Sequence, residues 1–261
     1  MKKTLAKVTL ISSLLLGGLL ASSVALAAEP LSQKVTTRGD VQFKAANDLK
    51  PVDPVDPEDE KPEPIDPTDP TKPPVVYPGG PLRLNHVPQL SFGINEIDAK
   101  GQVISALLET VIDSESKVET PRASFVEVAD ETGSLRGWEV TVQSDGIFKS
   151  AKGNIEGAIT FNGAALRGLN GMETKPEAAP TATSSFSIGK DHLGVASVMK
   201  ADTNKGYNKW QVHYGHSDQA VVDQDKVKRN NQVTLTVPEG QLVLADVEYV
   251  AAIQWSLVQG L

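Results

Sequence analysis

From Gly79 onward the chain is a series of short segments in which apolar and polar residues alternate, separated by Gly, Asn and Asp. A period of two places successive side chains on opposite faces and indicates β-strands rather than helices. The clearest segments are 124–128, 138–142, 158–161, 210–214, 233–237 and 247–257. Many short strands with Gly-rich turns predict an all-β fold, an antiparallel β-sandwich.

Local signals add three expectations about these strands. The turn at 130–133 predicts that 124–128 and 138–142 form a hairpin with one apolar face. Residues 103–112 suit either a helix or a strand. In the last segment, one parity is apolar throughout, which predicts one long strand with an apolar face. The residues of that parity are Val247, Tyr249, Ala251, Ile253, Trp255 and Leu257.

The segments before Gly79 differ from the later ones in their composition and pattern. In residues 1–27, Lys2, Lys3 and Lys7 precede an apolar run that leads to Ala25-Leu26-Ala27, which is typical of a secretory signal peptide. Residues 28–50 contain one strand-like piece at 40–43, which could dock on the main domain. Residues 80–261 form the predicted β-sandwich domain, and 51–79 form a spacer before it.

The spacer is acidic and rich in proline. Residues 51–70 hold eight of the chain's 33 acidic residues and one Lys, with Pro every two to five positions. Proline removes backbone donors and the carboxylates repel one another, so we expect a disordered, solvated, extended segment. Its Asp-Pro repeat lacks the Gly turn of a calcium loop, which favours a spacer over a metal site.

Composition excludes several classes of function. The chain has no Cys, so it has no disulfide, no Cys-ligated metal, no cysteine nucleophile and no lipid anchor on cysteine. Its net charge of −8 argues against nucleic acid as a partner. Much of that charge lies in the spacer, and the folded domain is therefore expected to be close to neutral.

The three tryptophans each lie in an alternating segment. Trp138, Trp210 and Trp255 each have an apolar residue two positions on, which is typical of core packing. An exposed platform for a ligand is the alternative. The residues alone leave both readings open.

Two of these tryptophans belong to longer motifs, 126–142 and 249–257, which resemble the WxL-domain surface proteins of low-GC Gram-positive bacteria. Further matching pieces are Gly39-Asp40-Val41-Gln42-Phe43, the Asp-Pro spacer, Gly80-Pro81-Leu82 and Ser91-Phe92-Gly93. Val140 stands where the family often has Leu. The resemblance covers nearly the whole chain after residue 27.

The resemblance implies a secreted protein that attaches non-covalently to the cell wall by binding peptidoglycan, alongside other surface proteins of the same complex. The implied motif or ligand-binding residues are Trp138, Val140, Tyr249, Trp255 and Leu257. An adhesin or complex subunit whose main ligand is another protein is the alternative. The sequence shows no LPxTG-type sorting signal and no apolar tail after Trp255, so we expect neither covalent anchoring nor a membrane anchor.

Several short motifs in the sequence also occur in enzymes. Ser114-Glu115-Ser116-Lys117 and Ser187-Ile188-Gly189-Lys190 match S-x-x-K, but the S-D-N and K-T-G partners are missing. His213 and His216 suit a strand surface or a turn better than a metal site. We therefore expect no enzyme activity, no cofactor and no metal.

One further motif is Arg38-Gly39-Asp40, which spells an integrin-binding tripeptide. It would suit the adhesin alternative. Its Gly-Asp pair also coincides with the start of the strand-like piece at 40–43, so a purely structural origin is the competing interpretation.

Overall fold

The computed structural model describes residues 38–45, 54–58, 65–66, 75–113 and 116–260, with 65–66 described by backbone alone. The predicted signal peptide at 1–27 lies outside the described residues, as do most of 28–50 and of 51–79. The chain divides after Gln42, and the second unit, Phe43–Leu261, contains all the strands of the described residues.

The described chain is built of β-strands joined by turns and two single-turn 3₁₀ helices, at Pro176–Ala178 and Ser217–Gln219. The strands are β1 Ile65–Asp66, β2 Leu82–His86, β3 Gln102–Leu107, β4 Glu109–Asp113, β5 Glu119–Arg122, β6 Ser124–Asp130, β7 Trp138–Gln143, β8 Ile147–Ser150, β9 Gly153–Glu156, β10 Ala158–Asn162, β11 Ala164–Leu169, β12 Thr181–Ala182, β13 Ser185–Gly189, β14 Ala196–Ala201, β15 Asn208–Tyr214, β16 Val221–Val222, β17 Lys228–Val237 and β18 Gln254–Gln259.

All strand pairings are antiparallel, and three sheets make up most of the unit. Sheet I has the order β11–β15–β6–β2, and sheet II has the order β12–β14–β7–β18. Sheet III has the order β13–β10–β17–β16, with β3 also pairing with β17. The two lateral edges of sheets I and II approach one another, since β11 contacts β12 and β18 contacts β2. Sheets I and II therefore enclose a common interior.

The core fills that interior with the inward residues of both sheets. Sheet I contributes Val126 and Val128 of β6 with Trp210, Val212 and Tyr214 of β15. Sheet II contributes Trp138, Val140 and Val142 of β7, and all eight side chains are at most 3% exposed. Burial of side chains this large removes several hundred Å² of apolar surface from water, which is the main stabilising term. The predicted all-β fold is confirmed.

The individual strand predictions have mixed outcomes. The segments 158–161, 210–214 and 233–237 are strands, as expected. Residues 103–112 are not helical and form most of β3 and β4. The predicted hairpin of 124–128 with 138–142 is wrong, because β6 pairs with β15 and β2, whereas β7 pairs with β14 and β18. The chain between them crosses from sheet I to sheet II.

The long last strand is only half correct. β18 begins at Gln254, and the residues before it are irregular apart from one bridge between Val250 and Lys149. The predicted burial pattern still holds there, since Tyr249, Ala251 and Ile253 pack against the core while their neighbours are exposed. An apolar parity thus reports which side chains face inward even where the strand ladder is absent.

β6 is buried on both faces. Its outward residues Phe125, Glu127 and Ala129 have no exposed surface. The hairpin of β4 and β5 covers one end, where Val111 packs on Phe125 and the ring of His86 stacks on the same phenylalanine at 4.0 Å. Residues 54–58 cover the middle, over Glu127.

Residues 54–58, here called the strap, belong to the segment predicted to be a solvated spacer. Val55 and Asp56 are instead 8% and 6% exposed, and β1, further along the same segment, pairs with β4. The expectation of a wholly disordered spacer therefore does not hold for these two stretches. A boundary at residue 80 also leaves out chain that packs on the sheets.

The strand-like piece at 40–43 is not a strand. Residues 38–45 have no regular secondary structure, and the side chains of Val41 and Phe43 are 75% and 86% exposed. Alternation over four residues is thus not sufficient evidence of a strand in this part of the chain.

Trp138 is held at its polar edge by a tight turn. Its Nε1–H donates to the carbonyl of Gly206 at 3.0 Å. Gly206 has a φ of +72°, and a Cβ there would lie 2.8 Å from Trp138 Nε1. The turn therefore requires glycine both for its backbone conformation and for the close approach of the indole.

Gly206→Ala tests this packing, with Gly171→Ala as its matched control. Gly171 has a similar φ of +85°, but nothing lies within 4 Å of where its Cβ would be. We expect the control to lower the free energy of unfolding by about 1 kcal/mol through backbone strain. Gly206→Ala should cost roughly 1–3 kcal/mol more, because the new methyl group would overlap with the Ala201 side chain as well as with Trp138. Urea denaturation of both variants measures the difference, and equal losses would contradict the tight packing.

Candidate functional site

The two tryptophan motifs lie side by side in sheet II. β7 carries Trp138 and Val140, and its antiparallel neighbour β18 carries Trp255 and Leu257. Leu257 is directly opposite Val140 in the ladder, and Trp255 is opposite Val142. Directly paired residues point to the same face of a sheet, so the motif side chains share the inner face.

The burial of these residues decides what they can touch. Trp138 and Val140 have no exposed surface, so neither can contact an external ligand while the strand is intact. Trp255 and Leu257 are partly buried against the core, and Trp255 lies edge-on to Phe161 at 6.2 Å. Tyr249 is also half-buried, and its hydroxyl accepts a hydrogen bond from the Leu244 amide at 3.0 Å. The structure brings all five predicted residues to one side of sheet II.

The opposite face of the same strands is largely polar, with Val258 exposed at one end of it, and it was not predicted as a site. Thr141 of β7 lies between Ser197 of β14 and Ser256 of β18, because each is its direct partner in the ladder. This forms a row of three hydroxyl side chains across three neighbouring strands. The outward parity of the two motifs was the signal in the sequence that could have identified it.

Further polar side chains flank this row. Gln143 Nε2 donates to Gln254 Oε1 at 2.7 Å on one side, and Ser197 Oγ donates to Glu139 Oε1 at 2.6 Å on the other. The name polar face is used below for these six residues: Glu139, Thr141, Gln143, Ser197, Gln254 and Ser256. None of them is buried. The motif thus sets a hydroxyl, amide and carboxylate surface outside and an aromatic core inside.

The side chains of three of the four histidines make contacts within the fold. His86 is buried against Phe125, and its Nε2 lies 3.1 Å from Glu109. His213 is in β15, with Nδ1 2.9 Å from the Gly215 carbonyl, and His216 accepts a hydrogen bond from the Asp218 amide at 3.2 Å. His192 is exposed in a turn. His213 thus lies in a strand and His216 next to a turn, as predicted from the sequence.

Of the two S-x-x-K matches, the structure describes only the second completely. Ser114 and Glu115 of the first lie outside the described residues. In the second, Ser187 Oγ is hydrogen-bonded to Thr160 Oγ1 at 2.8 Å, and Lys190 Nζ is paired with Glu156 at 2.9 Å. The hydrogen bond that Lys190 donates to Glu156 raises the pKa of Lys190, which keeps the amine protonated. A protonated lysine cannot serve as the base that activates a serine.

The tripeptide Arg38-Gly39-Asp40 is described with its side chains. Arg38 and Asp40 are 88% and 79% exposed, and Arg38 Nε lies 3.7 Å from Asp40 Oδ1. An exposed pair at this distance adds little stability, because water screens it.

Two further surveys apply to the part of the chain that the structure describes. There, no three His, Asp or Glu side chains group in a way that could hold a metal ion. The helical segments in these ranges are too short and too polar to cross a membrane.

Comparison with known proteins identifies a family whose model matches this chain. Residues 30–260 match the model of the WxL domain, described as a surface cell wall-binding domain. Neither the curated proteins nor the solved structures contain a match to the chain. The match includes both tryptophan motifs and the strap, and it places the protein at the cell wall. The chain is therefore a member of the WxL family of surface cell wall-binding domains.

Proposed function

We propose that this wall-binding protein attaches non-covalently by binding peptidoglycan directly, through the polar face. The observation that carries the proposal is the row Ser197–Thr141–Ser256, since it lies on the two motif strands and their neighbour. Peptidoglycan presents sugar hydroxyls, acetamido groups, peptide amides and carboxylates. Hydroxyl and amide side chains both donate and accept hydrogen bonds, so they match such a ligand.

In this proposal the tryptophans do not contact the ligand, and they support the polar face from the inner side of sheet II. Neighbouring strands lie about 4.8 Å apart, so the spacing of the hydroxyl row depends on the register of β14, β7 and β18. That register is held by the inward side chains, since a slip of one residue would turn Trp138 and Trp255 outward. The role of the motif tryptophans would then be packing, and recognition would lie on the opposite parity.

Thr141→Val combined with Ser256→Ala tests the polar face. Both changes remove a hydroxyl and keep shape and strand preference nearly unchanged. If each hydroxyl contributes a net hydrogen bond of about 1 kcal/mol, binding to protein-stripped sacculi should weaken by roughly tenfold or more. Sedimentation of the full chain with purified sacculi over a range of concentrations gives the affinity.

The matched control is Thr236→Val in β17 of sheet III, an exposed threonine in a strand away from the polar face. It should bind sacculi as the wild type does. Circular dichroism and urea denaturation confirm that all variants are folded. Wild-type affinity in the Thr141 and Ser256 variant would place recognition elsewhere, and failure of the folded wild type to sediment with stripped sacculi would remove peptidoglycan as the ligand.

We also propose that binding occurs without catalysis. The support is that two side chains that could act in catalysis already have partners within the fold. Lys190 is held protonated by Glu156, and His86 is buried against Phe125. Incubation of the full chain with sacculi should release no soluble muropeptides above a buffer control. Chromatography of the supernatant measures this, and time-dependent release that scales with protein concentration would show an enzyme.

A further inference from the structure

The strap occupies a groove that makes hydrogen bonds to both its backbone and its acidic side chains. The Val55 amide donates to Glu127 Oε2 at 2.9 Å, and Gln211 Nε2 donates to the Val55 carbonyl at 2.5 Å. Glu127 and Gln211 are direct partners in the β6–β15 ladder and are hydrogen-bonded to each other at 2.7 Å. Two side chains thus bind the strap backbone much as a neighbouring strand would.

Asp56 is recognised by two arginines. Arg122 Nε and Nη2 donate to the two Asp56 carboxylate oxygens, each at 2.7 Å. Arg167 Nη1 donates to the carbonyls of Asp56 and Pro57 at 3.2 and 3.1 Å. A bidentate guanidinium–carboxylate pair is among the strongest and most specific polar contacts in proteins, and this one is largely buried.

Glu58 occupies the other end of the groove. Its carboxylate accepts hydrogen bonds from the Ala123 amide at 2.7 Å and from the Ser217 amide at 3.0 and 3.1 Å, and it contacts the Ser217 hydroxyl. Its side chain is only 2% exposed. A carboxylate this well buried needs such donors, since an unpaired buried charge is very costly.

The sequence of the segment shows that the groove is selective. Val-Asp-Pro occurs twice in succession, at 52–54 and at 55–57, and only the second copy is followed by Glu. A slip of three residues would keep valine, aspartate and proline in place but would put Val55 where Glu58 binds. The donors from Ala123 and Ser217 would then face a valine side chain. The selectivity of the groove therefore lies in its contacts with the carboxylates of Asp56 and Glu58, which a slipped segment could not both supply.

We propose that this groove is a peptide-binding site for an extended Val-Asp-Pro-Glu segment and that it takes the strap of a second copy of this chain as well as its own. Exchange of an identical element between copies makes the same contacts as the closed chain, so it costs little enthalpy. The covalent connection permits it, because the chain from Glu58 to Tyr77, which is bound at Val87, can span up to roughly 65 Å. In the exchanged form, β1 would separate from β4 and move with the strap.

The test uses a chain whose own strap is weakened. In the full chain, Asp56→Asn with Glu58→Gln removes both strap charges at constant shape and leaves the groove intact. A labelled peptide of residues 51–60 should bind this variant, measured by fluorescence anisotropy. A control peptide with Asn and Gln at the positions of Asp56 and Glu58 should bind at least tenfold more weakly. The wild type should bind the native peptide at least tenfold more weakly than the variant, because its own strap competes at millimolar effective concentration.

A second arm tests the source of the peptide. Mixing the variant with wild-type chain at high concentration should give a heterodimer in sedimentation velocity, and excess native peptide should abolish it. Equal binding of the two peptides, or no binding to the folded variant, would overturn the site. Peptide binding without any heterodimer would overturn exchange between copies.

The double variant removes the Asp56 carboxylate from Arg122 and could lose stability. Glu58→Gln alone keeps the Asp56–Arg122 pair, and it should show the same order of peptide affinities with a smaller difference. Circular dichroism identifies which variant is folded for the measurement. No cell wall is present in either arm, so these results are independent of whether peptidoglycan is the ligand of the polar face.

Discussion

The burial of β6 on both faces is the constraint on which the rest of the architecture depends. A strand buried on one side can place its polar parity in water, but Glu127 has no exposed surface. Its carboxylate therefore needs partners within the protein, and it finds them in Asn85 of β2, Gln211 of β15 and the Val55 amide of the strap. Lys209 adds a cation at 3.7 Å. Three distant parts of the chain are thus joined at one buried charge.

Alternation identified the strands well and their partners poorly. A local pattern of apolar parity depends only on which side chains face inward, and that holds for β7, β15 and β17. The turn after β6 is equally compatible with a return to the same sheet and with a crossing to the facing sheet. Val126 and Trp138 belong to one core in both cases. The choice depends on β2 and β15, which supply the edges of β6 and lie far away in the sequence.

The strap shows a different limit of sequence reasoning. Proline and acidic residues do exclude helix and regular sheet, and the strap obeys that rule, since it binds through side chains of the groove. What composition could not show is that Arg122, Arg167 and the Ser217 amide converge on one site. They are 66, 111 and 159 residues away from their strap partners. The candidate site was similarly half predictable: the motif strands were evident from the sequence, but the residues predicted on them lie on the buried parity.

The two outer faces of the sandwich carry different chemistry, and this follows from the two sheets sharing one core. Sheet I turns Glu127 and the strap groove away from that core, and sheet II turns Thr141 and Ser256 away from it on the opposite side. An occupant of one face therefore leaves the other accessible. Copies joined through their straps would still present the polar face, so the proposed attachment to the wall and the proposed contact between copies would use different surfaces.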